Sequence, residues 1–281
     1  MYLNIRRFLI LVFLPLAVFA QSSESESTTE EEVTTQEVKN FLDPTIMINS
    51  LEYNFQSNFL LNEARLYSHT IMPMWAISHW TALWARVPFL DFSVPGANPP
   101  SGLGDVMFGW GVVAREDLKS RLTGTAFWIE ALAPTGSVEK GTGVGTWIFA
   151  PGGGIALNLT EKFPIYIEGR YLHSLEALGG SNRDEEVEER PDLRIRTVEL
   201  NLQTVHIMPK GFWVAALPGF TFNFNQDFNF FSLGAGVGRA LTRNFAISGA
   251  YIHQVAGKKT FNQAFTVGLS FVWGKEKLKG K

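Results

Sequence analysis

From Val106 to Ala114 every second residue, Val106, Phe108, Trp110, Val112 and Ala114, is apolar, and between them sit Met107, Gly109, Gly111 and Val113. A period of two is that of a β-strand, whose successive side chains leave on opposite faces. A half-buried strand of a soluble protein carries Lys, Glu or Thr on its second face, and here that face is small or apolar. Similar segments recur from about residue 45 to the C-terminus, twelve in all, near 48–60, 66–76, 80–89, 104–114, 123–133, 146–157, 165–175, 195–207, 212–223, 229–240, 245–254 and 264–273. Stretches with Gly, Pro, Asn, Asp or charge separate them.

The two faces differ consistently. Leu51, Tyr53, Phe55 and Phe59 oppose Glu52, Asn54, Gln56 and Asn58; Val198, Leu200 and Leu202 oppose Thr197, Glu199, Asn201 and Gln203. Ile165, Ile167 and Tyr171 oppose Glu168 and Arg170, and Phe265, Val267, Leu269, Phe271 and Trp273 oppose Thr266, Gly268 and Ser270. No charge falls on the apolar set near a segment centre, where in hydrocarbon it would cost about 2–4 kcal/mol. The connections alternate between long (91–102, 134–145, 176–194, 255–263) and mostly shorter ones, except that those near 62–65 and 224–228 are brief. An even strand number with this alternation predicts an all-β fold, an up-and-down antiparallel transmembrane barrel of about twelve strands in a bacterial outer membrane. The second and third segments, 66–76 and 80–89, have ambiguous parity. Trp147, Trp213 and Trp273 fall near segment ends, as an interfacial girdle would place them.

The N-terminus reads differently. Arg6 and Arg7, an apolar run from Phe8 to Phe19 and the small residues before Gln21 predict a cleaved export signal over residues 1–20. The run is shorter than the roughly 20 residues a spanning helix needs. Residues 21–44, rich in Ser, Thr and Glu at their start, are expected to be a disordered acidic tether, and 45–281 the barrel.

Composition narrows the function. The 281 residues are 46% hydrophobic with a net charge of −3 and no cysteine, which excludes disulfides and a thiol nucleophile and gives no basic field for nucleic acid. His69, His79, His173, His206 and His253 are scattered without metal-ligand spacing. Neither a metal nor any other cofactor is expected. His173 beside Ser174 is the one pair suggestive of acyl hydrolysis, with Ser181 in the following loop. Adjacent strand residues point to opposite faces, however, so the expectation is that the chain is not an enzyme. "GTGVGT" and "APGGGIA" lack the ending of a phosphate-binding loop, and Pro151 within the second is expected to mark a bulge or kink with Gly152 to Gly154. The acidic loop Asn182 to Arg196 is read as a solvated surface loop. The glycines at 109, 111, 234, 236 and 238 are read as relief of curvature in a closing sheet, with a solute path as the alternative, Gly109 and Gly111 leaving room for bulky neighbours or a solute.

At "PPSGLGDVMFGWGVV" and "WIEALAPTGSVEKGTGVGTWIFAPGGGIAL" the chain resembles the outer-membrane family named for the meta-pathway of phenol degradation, whose members are described as transporters. The residues that carry the likeness are Gly102, Leu103, Gly104 and Asp105, then Pro134, Thr135 and Gly136, and "LEYNFQSNFLL" at 51–61 looks like the family's first strand. The resemblance implies an outer-membrane location and passage of small hydrophobic or aromatic compounds. The residues expected to line the lumen are Glu52, Asn54, Asp105, Glu130, Glu168, Arg170, Glu199, Asn201 and Gln203, with Arg86 a further possibility. They would either set a preference against anions or pair across strands to fill the barrel. The expected partners are outer-membrane lipid and a small solute, with the chain a monomer. The alternatives are an outer-membrane acyl hydrolase or deacylase, or a soluble exported barrel or sandwich holding a lipid-like ligand around an apolar core.

Overall fold

The computed structural model describes residues 33–60, 63–96, 100–117, 120–175, 194–225, 229–258 and 261–273. The predicted signal segment, the start of the tether, Ser181 and most of the acidic loop lie outside them. A short helix, α1 (Thr35–Leu42), precedes the strands β1 (Asn49–Leu60), β2 (Arg65–Ser78), β3 (Thr81–Ser93), β4 (Ser101–Leu103), β5 (Val106–Glu116), β6 (Leu122–Ala133) and β7 (Ile148–Thr160). These are followed by β8 (Phe163–Ser174), β9 (Arg196–Ile207), β10 (Phe212–Asn223), β11 (Phe230–Ala240), β12 (Phe245–Gly257) and β13 (Phe261–Trp273).

Each long strand is antiparallel to its sequence neighbours, and β1 pairs with β13 from Asn49↔Trp273 to Leu60↔Phe261, which closes the sheet. The result is a barrel of twelve long strands in which β4 and β5 share one position. The pairs Phe89↔Leu103 and Arg86↔Met107 show why that strand is divided: one extra residue is accommodated at Gly104 and Asp105, a bulge. Closure leaves no free edge to recruit another chain. One rim carries the turns at 79–80, 117–121, 161–162, 208–211 and 241–244; the opposite rim carries the remaining connections.

The faces follow the alternation. Phe108 is 53% exposed and Met107 8%. Ile71, Leu83, Phe127, Leu200, Phe220, Val267 and Phe271 are likewise exposed on the outside, so the apolar set is an outer surface and not the core of a sandwich. The two ambiguous segments resolve. Ile71, Trp75, Leu83 and Phe89 are exposed outward, whereas Ala82 and Trp84 are buried inside. Sequence could not separate them, because Met72, Met74 and Trp84 within are as apolar as their lipid-side neighbours.

Three further expectations change. Trp213 is buried at 4% exposure inside the barrel, outside any girdle, because Gly238 opposite it leaves space that a Cβ would fill. Pro151 lies in register on both sides with no bulge, the β7–β8 ladder simply lacking pairs at Ala150 and Pro151. Residues 33–44, assigned by composition to a solvated tether, include a helix inside the barrel. Thr34 and Glu37 form a reciprocal capping box, and Val38 is wholly buried against Ala156, Tyr166, Val205, Ile207, Trp213, Ala215, Ala240 and Ala246. Alanine at four of those positions makes the space that the helix fills.

Candidate functional site

The lumen is furnished from two ends. At the turn rim α1 is held by the apolar contacts of Val38, by Lys39 Nζ donating to Asn158 Oδ1 at 3.2 Å, and by Arg243 Nε against Glu37 at 3.1 Å. Burial lowers the Lys39 ammonium below its ordinary pKa, partly offset by Glu161 and Asp43. Burial raises the Asp43 carboxyl, opposed by hydrogen bonds from Thr45 and by Lys39. Past α1 the chain crosses the interior. Asp43 Oδ1 accepts from Thr45 N at 2.8 Å and from Thr45 Oγ1 at 2.6 Å. Gly124 leaves room for the Thr45 side chain, and Met47 packs on Ala82, Val113 and Ala126 with Met74 and Trp128 beside them. The chain then runs into β1.

Beyond this plug lies the charged belt. Arg170 of β8 donates from Nε to Glu199 Oε2 at 2.7 Å and from Nη1 to Glu130 Oε2 at 3.3 Å, joining β8 to β9 and β6. Glu130, 5% exposed, also accepts from Trp84 Nε1 at 3.1 Å. A buried carboxylate needs such donors, since leaving it bare is costly. Glu52 and Glu168 share the space with Arg86 but form no ion pair within 4 Å among the described residues. A chamber of about 400 Å³ separates plug from belt, lined by Asp43, Met47, Glu52, Met72, Met74, Trp84, Arg86, Trp128, Glu130, Glu168, Arg170 and Asn201, among others.

Of the expected lumen residues, Glu52, Glu130, Glu168, Arg170 and Asn201 therefore line one chamber, and Glu199 joins them through its ion pair with Arg170. Asn54 lies on the same inner face against Gly268, and Gln203 pairs with Tyr166 towards the turn rim. Arg86 joins the group. Sequence reasoning missed Trp84, Trp128 and the plug. The signal for both indoles was their pairing with glycines: Trp84 lies over Gly109 and Gly111, Trp128 over Gly152 and Gly154, and a Cβ at either Gly109 or Gly152 would collide with the ring. Making room for bulky neighbours is thus a role of these glycines.

Asp105 does not belong to this chamber. It sits in the β4–β5 bulge towards the loop rim, where Oδ1 accepts from Gly136 N at 2.8 Å and Oδ2 from Val144 N at 2.7 Å. Thr135 Oγ1 donates to the Gly104 carbonyl at 3.1 Å and accepts from Val106 N at 2.9 Å. The two motif pieces, Gly102 to Asp105 and Pro134 to Gly136, form one knot that fastens the 134–147 loop to the strand. Leu103 itself faces outward, 45% exposed.

Among the described residues, His173 and Ser174 form no nucleophile–base pair. Ser174 is fully buried and its Oγ accepts from Ile195 N at 2.7 Å, while His173 follows the opposite parity and stacks beside Tyr171. Among the described residues no three His, Asp or Glu side chains converge as metal ligands.

No protein-family model matches the chain and no curated protein matches it. Solved structures do match in fold. An outer membrane channel from Pseudomonas putida F1 is 12% identical with a TM-score of 0.60, the match covering 89% of this chain and 100% of that one. The NanC porin is 10% identical with a TM-score of 0.53, covering 79% of this chain and 98% of that one. The KdgM porin, in complex with disordered oligogalacturonate, is 9% identical with a TM-score of 0.52, covering 80% of this chain and 99% of that one. The fold is that of a porin-like twelve-strand β-barrel.

Proposed function

We propose that the chain is a passive outer-membrane channel for small hydrophobic or aromatic compounds, with its own N-terminal segment seated in the turn-rim end of the lumen. The observation that carries this reading is the division of faces: a closed barrel with an apolar exterior and a charged interior. Such a surface belongs in hydrocarbon, where closure satisfies every strand. The apolar solute class is supported by the family resemblance that the Gly102–Asp105 and Pro134–Gly136 motifs carry, and by the Met and Trp side chains in one part of the chamber wall. Export through the signal at 1–20 would bring the chain to that membrane.

Reconstitution into planar bilayers tests it. The folded protein is expected to give discrete current steps, and Val38→Asp larger ones, because an unpaired charge buried in that apolar cluster would cost several kcal/mol and expel the helix. Absence of steps from both proteins, each shown to be folded and inserted, would overturn the channel.

A further inference from the structure

The chamber between plug and belt has a composition that a conduit for uncharged solutes does not require. We propose that it is a binding subsite for a small organic cation, an ammonium group carrying apolar substituents. The inference rests on the channel reading for the route by which such a ligand arrives, and on the chamber alone for the binding.

Three observations support it. The first is charge. Asp43, Glu52, Glu130 and Glu168 face the chamber against Arg86 and Arg170, four carboxylates to two guanidinium groups. Arg170 is committed to Glu130 and Glu199, and Arg86 lies with Nη2 4.0 Å from Met72 Sδ. Glu52 and Glu168 are left without a cation within 4 Å among the described residues.

The second is the pair of indoles. Each ring is laid along a Gly-x-Gly stretch of the neighbouring strand, and both tryptophans line the chamber. Trp84 is held in that pose by its hydrogen bond to Glu130. The face of an indole attracts a cation through its quadrupole, and more so when water is excluded. The third is the remaining wall. Met47, Met72 and Met74 are polarizable and adaptable, suited to methyl or aryl substituents and not to a bare inorganic ion. At about 400 Å³ the chamber lies in the range of small-ligand pockets.

Calorimetric titration of the full folded protein in detergent tests the proposal with three probes of one shape: choline, its uncharged isostere 3,3-dimethyl-1-butanol, and the anion 3,3-dimethylbutanoate. Choline is expected to bind saturably at one site, at least tenfold more tightly than the neutral alcohol, with the anion not binding. The Glu52→Gln, Glu168→Gln double variant is expected to weaken choline at least tenfold and leave the alcohol unchanged. Equal affinity of the charged and neutral probes, no binding of choline, or full affinity in a double variant that keeps its heat-modifiable migration would each overturn it. The probe series on the unaltered protein decides even where the variant fails to fold. Binding without conductance would sink the channel and leave the site, and conductance without binding would do the reverse.

Discussion

Met107 and Phe108 are sequence neighbours with opposite surroundings, 8% and 53% exposed respectively. Phe108 sits near the middle of the bulged strand 101–116, where an outward charge would cost about 2–4 kcal/mol. Phe108→Arg is expected to abolish most assembly into detergent-extracted membranes, read as loss of heat-modifiable migration, while Met107→Arg assembles at a substantially higher yield. Equal yields would show that the faces are wrongly assigned. At this scale sequence was most informative where hydrocarbon forbids polarity. It was least informative inside, where Trp84, Met72 and Glu130 share a face and no single rule of hydropathy describes them. Trp213 shows the same limit: its position near a strand end suggested an interface, and only the glycine across the ladder explains its inward pose.

Among the elements, the 134–147 loop and α1 depend on a few polar groups. Asp105→Ala would leave the Gly136 and Val144 N–H groups without their acceptor, about 1–3 kcal/mol for a buried group left unsatisfied. Hydrogen exchange of those two amides is expected to accelerate by tenfold or more while strand amides stay protected; unchanged protection would show that the knot does not fasten the loop. For α1 and the turn after it, pH is the lever. Burial raises the Asp43 carboxyl, so its contribution to docking is full below the ordinary carboxylate pKa and is lost as pH rises through the raised value. Burial lowers Lys39, so its contribution is present at alkaline pH and is lost as pH falls through the lowered value. Docking is therefore weakest in between, where both groups are charged. In bilayer recordings the open fraction is expected to be greater at pH 7 than at pH 4, and Asp43→Asn to flatten the acid side; no difference between the two pH values would count against it. None of this was legible from composition, because Val38 and Phe41 gain their burial from strands more than a hundred residues away.

For the whole molecule, the count of twelve long strands, their limits within a few residues and the closure of the sheet were readable, since a barrel in a membrane must alternate along every strand. What fills the barrel was not, since an interior shielded from lipid accepts charges, indoles, glycines and a stretch of the same chain alike. That last occupant has a kinetic consequence. Residues 43–48 join α1 to β1, and at about 3.3–3.6 Å per residue this leash reaches roughly 20 Å. A helix that comes loose stays at its own doorway at millimolar or higher local concentration. Reclosing is then a first-order event, indifferent to how many copies of the protein are present and resistant to competing peptide in the surrounding fluid below that local concentration.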